Sequence, residues 1–190
     1  MKKLLTVMMM SAMILPVVAQ VKLSSKTIDK VVKEMTIEEK ASLLVGFKFG
    51  ESYTGLPTNS ASQGNAIVPG AAGFTAKIDR FGIPHTVLAD GPAGLRINPK
   101  RDNDPNTYYC TGFPIGTLLA STWNTNLVYQ VGQAMGNEVL EYGCDVLLGP
   151  GMNLMRHPLC GRNFEYYSED PFLGGLTAAA MINGIQSNGV

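Results

Sequence analysis

Apolar residues recur along this chain at helical spacing in some windows and as short unbroken runs in others, and the alternation predicts its elements. Ile28, Val31, Val32 and Met35 make an amphipathic turn or two. Thr36-Ile37-Glu38-Glu39 has the form of a capping box, with Thr36 as N-cap and Glu39 three residues on. Ile37, Ala41, Leu44 and Val45 then share one helical face, and Gly46 suits the end of that helix. Residues 85–90 (HTVLAD) read as a short buried strand ending on a carboxylate and broken at once by Gly91-Pro92. After Trp123-Asn124, the positions Leu127, Val128, Val131, Ala134, Met135, Glu138 and Val139 keep helical spacing, apolar but for Glu138, until Gly143. Residues 144–148 (CDVLL) form the next apolar run, stopped by Gly149-Pro150-Gly151. A last helix is predicted over residues 171–186, with Asp170 as N-cap and Pro171 at the first helical position. Its apolar positions are Phe172, Leu173, Leu176, Ala179, Ala180 and Ile182; Ser187-Asn188-Gly189 closes it, and Val190 is expected to begin a strand.

Strands alternating with helices imply an α/β class with a parallel sheet and right-handed crossovers. Between these elements lie residues 47–80 and 97–116, polar and without sustained periodicity, which we read as irregular segments laid over the scaffold. Residues 149–170 are a third such segment, and the richest in charge. They carry two arginines (Arg156, Arg162), His157 and three acids (Glu165, Glu169, Asp170). A strand, a long polar loop and a helix are the arrangement in which α/β enzymes place binding residues on a rigid scaffold. An acid at the carboxyl end of an internal strand, as Asp90 is, also fits a site residue of a barrel enzyme. The residues alone leave a second reading open, in which Asp90 caps the turn that follows.

Composition narrows the function classes. Fifteen basic and fifteen acidic residues cancel, without a basic stripe that would track phosphates, so nucleic acid is not expected as a partner. Lys2-Lys3, an apolar stretch over residues 4–15 and Val17-Val18-Ala19 have the form of an export signal cleaved after Ala19. That apolar stretch is too short to span a bilayer and no other comes close. The expected organisation is a signal peptide over residues 1–19 and one domain segment over residues 20–190, placed in the periplasm or outside the cell. Cys110, Cys144 and Cys160 leave at least one thiol unpaired in an oxidising compartment, and are read as small buried hydrophobes. Without a CxxC or a histidine at ligand spacing, a metal site has no support.

Four motifs in order now carry a resemblance. Ala89-Asp90-Gly91-Pro92-Ala93-Gly94-Leu95-Arg96 resembles the DGP-x-G-[VIL]-R segment of glycoside hydrolase family 3. Phe113-Pro114 with Ser121-Thr122-Trp123-Asn124 resembles its FP…ASTWN stretch, residues 145–153 its VDVLLGPGVN segment, and residues 161–171 its GRNFEYYSEDP segment. The resemblance covers residues 36–190 and points to the β-glucosidase and β-xylosidase type. It implies a partial (β/α)8 TIM-type barrel reaching only through the first few β/α units, with an α/β sandwich domain following in the whole enzyme. It further implies that Asp90 accepts hydrogen bonds from hydroxyls of the non-reducing terminal sugar, around O4 and O6. Arg162 would reach the same hydroxyls, and Arg96 would hold Asp90 and the neighbouring loops. Glu165 and Glu169 would be structural, through ion pairs and helix-start hydrogen bonds. No metal or organic cofactor is implied.

Retention of configuration needs a nucleophilic carboxylate and an acid/base carboxyl roughly 5 Å apart. The resemblance places the nucleophile in a Ser-Asp-Trp type segment after a Lys-His pair, and the acid/base in the later domain; none of these motifs occurs here. The 190 residues, less the leader, also fall short of the about 250 a full barrel takes. The expectation is therefore the N-terminal part of an exported retaining β-glycosidase, most plainly a β-glucosidase, inactive by itself. It would need the rest of the barrel and the sandwich domain as partners and a β-glucoside or oligosaccharide as substrate. A β-xylosidase, a non-catalytic sugar-binding module and a structural domain without sugar affinity are the alternatives.

Overall fold

The computed structural model describes residues 21–46 and 67–190. The predicted leader and the first part of the irregular segment 47–80 lie outside them. Helix α1 (Ile28–Glu34) and helix α2 (Ile37–Leu44) come first. Strands β1 (Gly73–Phe74) and β2 (Val87–Asp90), helices α3 (Gly116–Ala120) and α4 (Thr125–Glu141), strand β3 (Val146–Leu148) and helix α5 (Pro171–Gln186) follow.

The capping box forms as predicted: Glu39 N–H donates to Thr36 Oγ1 and Thr36 N–H to Glu39 Oε2. The face expected to be buried does not hold. Ile37 is 79% and Leu44 88% exposed, and it is Ser42 that is buried. Leu43 is the apolar residue of α2 that packs against a core, and polar contacts tie α1 and α2 to Arg80. Arg80 Nε donates to Glu39 Oε1 at 2.6 Å and Arg80 Nη2 to the backbone oxygen of Glu34 at 3.0 Å. Beneath α1, Val31, Met35, Ile78 and Phe81 form a small core of their own, while Ile28 and Val32 stay exposed.

The sheet has the order β1-β2-β3. β2 and β3 are parallel, in register Leu88↔Val146, Ala89↔Leu147 and Asp90↔Leu148, as the alternation of strand and helix requires. β1, which lies in the segment read as irregular, adds a strand antiparallel to β2, so the sheet is parallel only between β2 and β3. The chain between β1 and β2 folds back through the turn Asp79–Phe81 with Gly82 at φ +70°, and the Ile78↔Ile83 bridge closes a hairpin rather than a crossover. Asp145 joins the starts of the parallel strands, its Oδ2 accepting from Val87 N–H at 2.7 Å.

α4 and α5 cover one side of the sheet. Asn124 and Asp170 cap them, accepting from Leu127 and Phe172 N–H at 3.1 and 2.9 Å. Their buried faces are Val128, Gly132, Met135, Gly136 and Val139 on α4, and Gly174, Thr177, Ala178, Met181, Gly184 and Ile185 on α5. Of the predicted positions, Leu127 and Ala134 on α4, and Phe172, Leu176 and Ala179 on α5, are exposed. The reason is that glycines, which a search for apolar side chains skips, make the contact. A Cβ on Gly132 would lie 2.5 Å from Met181 O, and one on Gly184 2.2 Å from Tyr129 O. That approach seats Met135, Val139, Met181 and Ile185 in the core, each contributing about 1.5–3 kcal/mol of burial.

The cysteines are all free. Cys144 is the buried hydrophobe expected, its thiol pushed up to about 11 by burial, but Cys110 is half-buried and Cys160 exposed. Val190 is half-buried against the core and belongs to no strand among the described residues. No described helix is long and apolar enough to cross a membrane.

Candidate functional site

β2 places Val87 and Ala89 in the core and turns Leu88 and Asp90 the other way, so its last residue presents a carboxylate at the carboxyl end of the parallel pair. The chain then doubles back within six residues. Gly94 N–H donates to Gly91 O at 3.3 Å and Arg96 N–H to Asp90 O at 2.8 Å. Glycine is required at both bends: a Cβ on Gly91 would lie 2.2 Å from Gly94 O, and Gly94, at φ +118°, would place one 2.3 Å from Thr111 O. The return puts Arg96 Nη1 3.2 Å from Asp90 Oδ2. Among the described residues this guanidinium is the only side chain in direct ion-pair contact with Asp90, and no main-chain N–H is capped by its carboxylate. The turn is thus held by backbone bonds, and of the two readings left open by the residues, the capping one finds no hydrogen bond.

The loop after β3 brings the second half. Its short helical turn Asn163–Glu165 follows Arg162, whose Nε donates to Glu165 Oε1. Glu165 is only 11% exposed in its side chain, whereas Arg162 is 69% exposed. The loop is fastened to the start of α3, where Thr117 Oγ1 donates to Tyr166 O at 3.0 Å. Gly116 lets the two backbones meet, since a Cβ there would lie 2.6 Å from Glu165 O. The ion pair with Glu165 holds the Arg162 guanidinium above its ordinary pKa, and the Asp90 carboxylate adds to that shift.

Asp90, Arg96 and Arg162, the three predicted sugar-site residues, together with Thr111, Phe164 and Glu165, line one cleft of about 600 Å³. A carboxylate acceptor beside planar multi-donor guanidinium groups makes strong, directional bonds to hydroxyls, and the cleft suits a polyhydroxylated ligand. Glu165 makes the kind of ion pair expected of it, with Arg162. Glu169 differs from the expectation: it is exposed and without an ion pair among the described residues, and the helix-start bond belongs to Asp170. Among those residues no three His, Cys, Asp or Glu side chains gather to hold a metal.

Sequence reasoning missed the wall formed by Cys110, Thr111 and Gly112. Phe113 N–H donates to Ala93 O at 2.9 Å, which stitches this strap to the turn carrying Asp90 and Arg96. Its anchor is Glu138, which accepts from Thr111 N–H at 3.0 Å and from Thr111 Oγ1 at 2.7 Å. The signal was present in the sequence as the one acid on the apolar face of α4.

Comparison with known proteins places the chain in a family. Residues 73–190 match the glycosyl hydrolase family 3 N terminal domain. Beta-glucosidase A of Butyrivibrio fibrisolvens is 42% identical over 164 residues, which are 86% of this chain and 17% of that protein. An exo-alpha-(1->6)-L-arabinopyranosidase of Bifidobacterium longum is 38% identical over 164 residues, 84% of this chain and 18% of its own. Among solved structures, beta-glucosidase 3B of Thermotoga neapolitana in complex with alpha-D-glucose superposes with a TM-score of 0.76 at 54% identity, over 85% of this chain and 22% of that one. The chain thus spans about a fifth of the length of the relatives it matches.

Proposed function

The chain belongs to glycosyl hydrolase family 3, and from that premise we propose that residues 20–190 are the sugar-recognising opening of an exported β-glucosidase. The described α/β arc is part of the N-terminal barrel domain of that family. The observation that carries the reading is the meeting of Asp90, Arg96 and Arg162 at one cleft, at the carboxyl end of two parallel strands. In the proposed complex Asp90 accepts from adjacent hydroxyls of the non-reducing terminal glucose, and Arg162 donates to the same sugar. Arg96 keeps the Asp90 carboxylate oriented. These bonds fix the ring while the anomeric carbon reacts, so binding energy far from the broken bond lowers the barrier. The double displacement uses a nucleophile and an acid/base that the resemblance places outside residues 20–190. The rest of the barrel and the sandwich domain are accordingly partners of this segment, and residues 1–19 its export signal.

The relative that acts as an arabinopyranosidase favours a second reading, since arabinopyranose, like xylose, lacks the C6 hydroxymethyl of glucose. Steady-state kinetics of the full-length enzyme on the nitrophenyl β-D-glucoside, β-D-xyloside and α-L-arabinopyranoside separate them. The glucoside is expected to give the highest kcat/KM; preference for either pentoside overturns the glucoside assignment, and no hydrolysis of any overturns the glycosidase reading.

A further inference from the structure

Glu138 stands at the edge of the buried face of α4, whose fully buried positions are all apolar or glycine. It is half-buried, and its carboxylate is spent on one residue. Oε1 and Oε2 accept from Thr111 N–H at 3.0 and 3.2 Å, and Oε2 also accepts from Thr111 Oγ1 at 2.7 Å. One turn further along, at the C-cap of α4, Tyr142 Oη donates to Tyr109 O at 3.0 Å, a second bond to the chain just before the strap. The opposite side of the strap forms the wall of the cleft and presses on the Asp90 turn. Thr111 O occupies the space where a Cβ of Gly94 would be, and Phe113 N–H is bonded to Ala93 O. The contacts run in series from Glu138 through Thr111 and Gly94 to the turn whose ends are Asp90 and Arg96.

We infer that Glu138 is a positioning residue for sugar binding, setting the place of the Asp90 turn through Thr111; this rests on the cleft being the site of the terminal sugar. Its removal leaves Asp90 and Arg162 chemically intact but frees the wall between them. The effect falls on substrate affinity, because a slightly displaced binding group loses its bonds in ground and transition states alike. A merely structural role predicts something else: fewer folded molecules, hence lower apparent kcat at unchanged KM.

The test is kinetics of the full-length enzyme on nitrophenyl β-D-glucoside, with a melting curve for each variant. Glu138→Ala is expected to raise KM about tenfold with kcat within about threefold. Glu138→Gln is expected to stay within about twofold of the parent, because the amide oxygen accepts from Thr111 N–H while its NH2 donates to Thr111 Oγ1. Should Glu138→Ala fail to fold, Glu138→Met keeps the side-chain length and an apolar helix face, and the same rise in KM is expected of it. An unchanged KM in whichever of these folds, or a fall in kcat alone, overturns the inference. Asp90→Asn in the same assay keeps the two claims apart: if it is impaired while Glu138→Ala is normal, only the role of Glu138 fails. If Asp90→Asn is itself normal, the sugar-site reading fails.

Discussion

Asp90→Asn is the perturbation that bears most directly on the cleft, and the structure permits its two consequences to be separated. The stability cost is small. The backbone of residue 90 is fixed by its register with Leu148 and by the bond from Arg96 N–H, neither of which involves the side chain. What the side chain loses is its ion pair with Arg96, whose own side chain is 81% exposed, and pairs this exposed contribute about 0–1 kcal/mol. The functional cost is larger. Asn keeps the size and one acceptor oxygen but gives up the charge, and charge-assisted hydrogen bonds are roughly twice as strong as neutral ones. With the carboxylate bonded to two sugar hydroxyls, the loss is about 3 kcal/mol of transition-state binding, or about 10²-fold in kcat/KM. Steady-state kinetics of the full-length enzyme with Asp90→Asn, beside its melting curve, measure both. An unchanged kcat/KM refutes the sugar-binding role, and a fall in Tm that accounts for the activity lost refutes the separation argued here.

Two further outcomes are expected. Gly184→Ala forces a Cβ to within 2.2 Å of Tyr129 O and 3.0 Å of Gly132 Cα, so the two helices must part. Overpacking against backbone costs about 3 kcal/mol, or roughly 6–12 °C in Tm, whereas Gly175→Ala on the same helix, with nothing within 4 Å, is expected to leave Tm unchanged or slightly raised; equal Tm for the two variants would contradict the packing. Arg80 holds the Glu39 carboxyl below its ordinary pKa of 4.5, so this pair adds stability that is present above that pH and lost as pH falls through the lowered value. The stability gap between the parent and Arg80→Met is therefore expected to narrow in denaturant titrations below about pH 4.5, and a gap independent of pH would show that the contact is not electrostatic.

The amino-acid sequence by itself determined the features that depend on near neighbours. The capping box at Thr36 and Glu39, the Asp170-Pro171 start of α5, the stop at Gly143 and the runs that become β2 and β3 are all settled within a few residues. The motifs around Asp90 and Arg162 likewise singled out both halves of the cleft. Only the tertiary structure decided what these elements meet. β1 is two residues long, too short to show alternation, and α3 is five, too short to show a helical period. The faces of α4 and α5 turned on Gly132, Gly136 and Gly184, which carry no hydrophobic signal and act by letting backbones approach. The stripe of Ile37 and Leu44 looked buried because a helical period records which residues share a face, without recording whether anything packs there. Glu138 stood out in the sequence as an exception, but its partner Thr111 lies 27 positions earlier and is brought within reach only by the fold. Periodicity is a property of one segment, whereas a cleft is made by contacts between segments far apart in the chain, and the first does not specify the second.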